Sequence, residues 1–141
     1  MSEFLVRCWN VAMPEVDVGD DLFVVEDKKG IFYRIQVKTA TAVERRNGFS
    51  TQFKLSLKQL SVAIEPEIYY IFVVRRRRNW QHFIVIKRRD LFNLLEKHSI
   101  GTLANDNLML YFSFQNDKAT CSNLDFSEFL NNFDDFPIIE H

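Results

Sequence analysis

Three polar residues of this 141-residue chain fall where two short apolar segments must meet. Residues 27–30, DKKG, carry turn chemistry between the runs 22–26 and 31–39, with glycine supplying a positive φ at little cost. A symmetric turn opposes residues whose numbers sum to 57, which sets Asp21 across from Gln36. Side chains alternate along a strand, so Lys38 shares the face of Gln36. Opposed Cβ atoms lie about 4.5–5.5 Å apart, and a slip of one residue would send Asp21 to the other face. A carboxylate and an amide oxygen are hard ligands suited to Mg²⁺, or Mn²⁺ in its place, which keeps several waters and takes one or two carboxylates. Such a cation polarises a phosphoryl oxygen and activates bound water. The ammonium of Lys38 can stabilise the charge gained in the transition state or orient the attacking water. The chemistry within reach is metal-assisted hydrolysis of a phosphodiester. Asp17 and Asp20, in the acidic loop before the hairpin, are further candidate ligands. Taken singly, Asp21 reads as an acid starting a strand and Lys38 as a solvated edge residue; their convergence is what singles them out.

The elements that must position these residues follow from apolar spacing. Residues 5–13 read as a strand after a frayed helical turn, ended by Pro14. After the hairpin a polar loop spans 41–50. Phe53, Leu57, Leu60 and Ile64 then recur as one helical stripe that Pro66 closes. Residues 68–75 and 81–87 read as a second hairpin around Arg76-Arg-Arg-Asn-Trp80. A short helix over 90–98 turns Leu91, Leu94 and Leu95 inward, and 108–115 is a strand. Asp125 caps a last helix with Glu128 in capping-box position and Phe126, Phe129, Leu130 and Phe133 on one face. The order β-ββ-α-ββ-α-β-α predicts one α/β domain of the α+β layered kind, a mixed central sheet flanked by helices. Its four glycines are isolated, so the chain carries neither a P-loop nor a dinucleotide fingerprint.

Charge is distributed unevenly. Residues 28–97 carry 16 Lys/Arg against 5 Asp/Glu, whereas 1–27 and 98–141 each carry 1 against 7. A net charge of −1 thus hides a basic middle between acidic ends. That pattern suits a polyanion-binding face, or equally acidic ends folding onto the middle. Arg75, Arg76, Arg77 and Arg78 at the second hairpin's tip could grip phosphates, with Trp80 stacking on a base or sugar. Their alternative is a solvated turn paired with acids of the tail. Lys87, Arg88 and Arg89 end the returning strand and extend the same face; Lys54 and Lys58 read as a solvated helix face. His82, His98 and His141 lack metal-ligand spacing. Cys8, read as a small core residue, and Cys121 read as reduced thiols of a cytoplasmic protein. The longest apolar run is far short of the roughly 20 residues of a membrane helix, and the N-terminus lacks the pattern of a signal peptide.

The stretches GDDLFVV (19–25) and IQVKT (35–39) resemble the PD-(D/E)XK nuclease superfamily, in the variant whose acid is replaced to give QxK. WNVAMP (9–14) and YYIFVV (69–74) resemble small prokaryotic members of that group. The resemblance covers about residues 5–98, leaving 99–141 as a strand–helix extension. It implies a mixed sheet flanked by helices and cleavage of nucleic-acid phosphodiesters, DNA foremost, with Mg²⁺. Asp21 becomes the metal aspartate, Gln36 the second ligand position and Lys38 the catalytic lysine. Many such nucleases pair, which extends to a homodimer here. The chain departs from the pattern in three ways. Pro14 lies seven residues before the aspartate, the leading helix is almost lacking with Glu3 a poor substitute for its acid, and Gln36 carries no charge. A superfamily member without catalysis, binding nucleic acid or protein, is the alternative.

Overall fold

Strict apolar alternation and unbroken apolar runs divide this chain between two kinds of strand. The computed structural model describes residues 1–15 and 21–140. A short helix α1 (Ser2–Leu5) precedes β1 (Asn10–Ala12), and the DKKG turn joins β2 (Leu22–Glu26) to β3 (Ile31–Thr41). β4 (Val43–Arg45) and β5 (Gly48–Ser56) lead to the one-and-a-half-turn helix α2 (Leu57–Ser61). β6 (Ile68–Arg76) and β7 (Asn79–Lys87) form the second hairpin, followed by α3 (Arg88–His98). β8 (Thr102–Ala104), β9 (Asn107–Gln115), β10 (Lys118–Cys121), β11 (Leu124–Asp125) and a 3₁₀ turn over Ser127–Phe129 complete the described chain.

The strands make two sheets. The first, in the order β1-β2-β3-β6-β7, is mixed: β3 and β6 run parallel and the other pairs antiparallel. The second, β11-β10-β9-β5-β4 with β8 beside β9, is antiparallel. β6 is buried at its first five positions, as a central strand covered on both faces must be. β5 and β9 alternate buried and exposed residues, so only one face of the second sheet meets a core. That core lies between the sheets, where Phe53 and Phe112 pack on Phe72 at ring distances of 4.9 and 5.6 Å. A second core lies on the opposite face of the mixed sheet, closed by the chain ends: Phe4, Trp9, Phe133 and Phe136 against Val24, Ile35, Tyr69 and Ile71. Trp9 donates to the carbonyl of Pro137 at 2.8 Å and Ile139 N–H to that of Arg7 at 3.0 Å, so the ends are tied to one another.

The fold is α+β with a mixed sheet, as expected, but its second layer differs. The helical stripe through Phe53 does not form. Phe49, Thr51, Phe53 and Leu55 are buried on alternate positions of a strand, and helix begins only after Ser56, whose hydroxyl caps Gln59 N–H. The polar loop over 41–50 is likewise a hairpin, β4–β5, and Lys54 sits on the exposed face of β5 rather than on a helix. At Gly48 an added Cβ would stand 2.0 Å from the Phe114 carbonyl oxygen, so only glycine lets β5 approach β9 so closely. The expected final helix is reduced to one 3₁₀ turn. Asp125 accepts from Ser127 N–H in a local turn, and the phenylalanines part company, Phe126 entering the inter-sheet core and Phe133 the second core. Between them Asn131 caps the edge of β7 through both polar groups of Phe83. Residues 99–140 are therefore woven through both cores, with β9 between β5 and β10. At the start, the strand over 5–13 shrinks to Asn10–Ala12, and Cys8 is exposed instead of filling a core.

Candidate functional site

Five pairs between β2 and β3, from Leu22↔Ile35 to Glu26↔Ile31, all sum to 57. Gly30 in the turn has φ +64 with open space around it, so its conformation and not its size is what the turn uses. Asp21 stands one residue beyond the last pair, its N–H still bonded to the Ile35 carbonyl at 2.9 Å. Its carboxylate then takes over from the backbone: Oδ2 accepts from Val37 N–H at 2.6 Å and from Gln36 Nε2 at 2.9 Å. Gln36 is only 8% exposed, whereas Asp21 is open to solvent. Lys38 is half-buried on the same face, about 7 Å further along β3 and opposite Phe72 of β6. The hairpin thus brings Asp21 and Gln36 together and sets Lys38 beside them. Asp17 and Asp20 lie outside the described residues.

Two residues that the apolar pattern gave no reason to select complete the cluster. Gln59 of α2 donates from Nε2 to Gln36 Oε1 at 3.3 Å, and the Tyr70 hydroxyl of β6 donates to Gln59 Oε1 at 3.1 Å. Tyr70 is fully buried and pairs with Gln36 in the parallel register. Reading β5 to Leu55 by alternation, then Ser56 as a cap, would have put Gln59 in a first helical turn above β3. The short helix is pinned from three sides: by its Ser56 cap, by Leu57 N–H on the Asp106 carbonyl at 3.0 Å, and by Arg88 on the Leu60 carbonyl at 2.7 Å.

A divalent cation could be held by the Asp21 carboxylate and the Gln36 amide oxygen, a hard and sparsely charged set of the kind Mg²⁺ accepts. Asp21 Oδ1 accepts nothing from any other described residue, so one carboxylate oxygen is open for a ligand. The donor types fit. Gln36, however, turns its amino group to Asp21 and its oxygen to Gln59. Among the described residues no group of three His, Cys, Asp or Glu side chains gathers, at this site or at another.

The basic residues separate into unlike roles. The tip of the β6–β7 hairpin is the two-residue loop Arg77-Arg78, both left-handed with φ of 49° and 70°. Arg76 is bound in bidentate fashion to Glu44, at 2.8 and 2.9 Å, and lies 4.3 Å over the Phe49 ring. That ion pair holds the Glu44 carboxyl below the usual carboxylate range, the Arg76 hydrogen bond being the main cause. Arg77 approaches the same carboxylate at 3.7 Å. Arg75 lies 6.0 Å from the Trp80 ring, and Arg78 and Trp80 are exposed. Lys87 and Arg88 do not extend this tip. Lys87 pairs with Tyr69 at the far end of the hairpin, against the second core, and its ammonium is 3.6 Å from Asp135. Arg88 is 4% exposed, with both ends of its guanidinium on Glu67 at 2.8 and 3.2 Å; it is a structural cation. Arg89 is exposed and lines a cleft with Lys87 and Tyr33. Among the described residues, Lys87–Asp135 and the local Lys29–Glu26 are ion pairs that join the basic middle to the acidic ends.

His82 fits its expected place as a partly buried histidine, between Phe49 and Phe114, with Nδ1 unpartnered among the described residues. Cys121 is buried and its thiol is pushed up to about 11 by that burial. No described helix is long and apolar enough to cross a membrane. Comparison of the chain with protein-family models, with curated proteins and with solved structures found no match.

Proposed function

We propose that this chain is a metal-dependent, endonuclease-like phosphodiesterase acting on nucleic acid, DNA foremost, with Asp21 and Gln36 holding Mg²⁺ or Mn²⁺ and Lys38 beside them. The observation that carries the reading is the 2.9 Å contact between Gln36 and Asp21 on the face that also bears Lys38. The mixed sheet, with β3 parallel to β6, is compatible with the PD-(D/E)XK resemblance of the same strands. When bound, the cation would polarise a phosphoryl oxygen and lower the pKa of a coordinated water. Asp21 is aimed by Val37 N–H, so its open oxygen stays directed to solvent and substrate. Lys38 would offset charge building on the phosphoryl oxygens, in a half-buried setting where an ammonium acts more strongly than in water. Arg75, Arg77, Arg78 and Trp80 would hold the nucleic-acid backbone. From Gln36 to the level of Arg75 is five residues of β3, about 17 Å, or about five nucleotide steps along one strand. The tip therefore acts on binding and not on the cleavage step. Free thiols at Cys8 and Cys121 agree with a cytoplasmic setting, and a homodimer would let two copies reach two strands.

Purified protein should nick supercoiled plasmid in Mg²⁺ or Mn²⁺. Asp21→Ala and Lys38→Ala should each slow nicking about a hundredfold or more while leaving the unfolding midpoint near that of the parent. Unchanged nicking in both variants would remove the assignment. The second reading, a nuclease-like module that binds nucleic acid or protein without cutting, draws on one observation: Gln36 offers Asp21 its amino group, not its oxygen. It expects intact plasmid in either metal and salt-sensitive DNA binding through the arginine tip.

A further inference from the structure

We infer that Gln59 and Tyr70 are positioning residues that set which end of the Gln36 amide faces Asp21, and that a divalent cation binds with reversal of this relay. The inference rests on the reading of Asp21 and Gln36 as cation ligands. All four groups form one directed chain: the Tyr70 hydroxyl donates to Gln59, Gln59 to Gln36, and Gln36 to Asp21, at 3.1, 3.3 and 2.9 Å. Gln59 and Tyr70 make further interactions besides these.

Each link can run the other way. A glutamine amide has a donor and an acceptor end exchanged by a half-turn about a broad, roughly two-fold torsion, and a tyrosine hydroxyl both donates and accepts. In the present direction the Asp21 carboxylate is held by an N–H₂ group, which repels a cation. A cation on Asp21 needs the oxygen of Gln36 instead. If Gln36 turns, its amino group meets Gln59, which must then present its own oxygen. Gln59 turns in consequence, and its amino group meets Tyr70, whose hydroxyl accepts. Gln36 is too buried for water to replace a missing partner, so its half-turn on its own would leave amino groups facing each other. The three groups therefore reverse together. The relay explains why an uncharged glutamine occupies this position: a glutamate could not donate to Asp21 in the cation-free state, and two carboxylates would repel there.

The test is side-chain amide NMR of the full-length ¹⁵N-labelled chain, with MnCl₂ and MgCl₂ as probes. Mn²⁺ should broaden the backbone amides of Leu22 and Val37, placing the cation at Asp21. Diamagnetic Mg²⁺ should then shift the side-chain amides of both Gln36 and Gln59 and the ring signals of Tyr70, and Asp21→Asn should abolish every response. Gln59→Met, which breaks the chain of hydrogen bonds without adding charge, should leave the Mg²⁺ response at Gln36 and silence the one at the Tyr70 ring. Shifts at Gln36 without any at Gln59 or Tyr70, or a Tyr70 response that persists in Gln59→Met, would overturn the relay and leave the cation site standing. Absence of broadening at Leu22 and Val37 would overturn the relay together with the reading beneath it.

Discussion

Arg88 offers the sharpest separation of a structural cation from one that meets a ligand. Its residue is 4% exposed, and its guanidinium makes three hydrogen bonds: two to Glu67, at 2.8 and 3.2 Å, and one to the Leu60 carbonyl at 2.7 Å. Arg88→Met keeps the apolar stem and removes all three. Breaking a buried pair by deleting one partner costs about 3–5 kcal/mol, because the remaining charge stays desolvated. The Glu67 side chain is 23% exposed and can recover part of its hydration, which points to the lower end, about 3 kcal/mol. At roughly 3 °C per kcal/mol for a chain of this size, the melting temperature should fall by about 10 °C. Urea titration followed by the fluorescence of buried Trp9 would measure it, with circular dichroism for the melt. Glu67→Met on top of Arg88→Met removes the stranded carboxylate and should restore part of the loss. A loss below about 1 kcal/mol, or a double variant no better than the single, would refute the argument, as would equal destabilisation by exposed Arg89→Met.

Two other outcomes follow from the hairpin tip and its surroundings. Burial, then the nearby Arg76, holds the His82 pKa below its usual value against an opposing pull from Asp117. Its contribution to stability is thus complete above about pH 6.5 and is lost as pH falls through the folded value; the drop in urea midpoint from pH 7.5 to 5.5 should be smaller in His82→Phe, and equal drops would refute it. Replacing Arg77-Arg78 by Asn-Gly suits the two left-handed positions and should stabilise the chain by about 1–2 kcal/mol. The same change should weaken DNA binding and flatten its salt dependence by up to two phosphate contacts; stabilisation with unaltered DNA affinity would show that the arginines are not retained for binding.

Legibility in the sequence followed the range of the forces involved. The Leu22–Glu26/Ile31–Thr41 hairpin was readable because a four-residue turn with glycine fixes register locally, and Asp21 with Gln36 followed by counting. The β6–β7 hairpin was readable from two β-branched and aromatic runs around a polar tip, and the helix ending at His98 from the spacing of Leu91, Leu94 and Leu95. The segment 49–64 was not, because Phe53, Leu57, Leu60 and Ile64 satisfy a helical spacing while Phe49, Thr51, Phe53 and Leu55 satisfy an extended one. The partner strand β9, more than fifty residues away, decides between them. The last helix failed similarly. Two tight turns, Asn116-Asp117 and Ser122-Asn123, all four residues left-handed, fold β10 onto β9 and β11 onto β10, and Asp125, the expected helix cap, is taken up in β11. Arg88 looked like one of three like charges, since burial cannot be read from charge type; the Glu67 that holds it is twenty-one positions away.

The two left-handed loops of the second sheet sharpen the meaning of the arginine tip. Asn, Asp and Ser occupy them, residues with short side chains that bond to nearby backbone and tolerate the conformation. The β6–β7 loop demands the same backbone and meets it with Arg77 and Arg78, which gain no such compensation. Arg77 recovers a contact with Glu44, but exposed Arg78 makes none with any described residue. A cost of about 1–2 kcal/mol per residue in this conformation is therefore borne where two guanidinium groups project into solvent, beyond the C-terminal end of the strand that carries Gln36 and Lys38. Strain kept at an exposed position, in a chain that resolves the same turn cheaply elsewhere, supports the binding role proposed for this loop. Under the proposed function, a nucleic-acid strand held there would extend along β3 toward Asp21. Lys87 and Arg89, turned to the other face of the sheet, would not touch it.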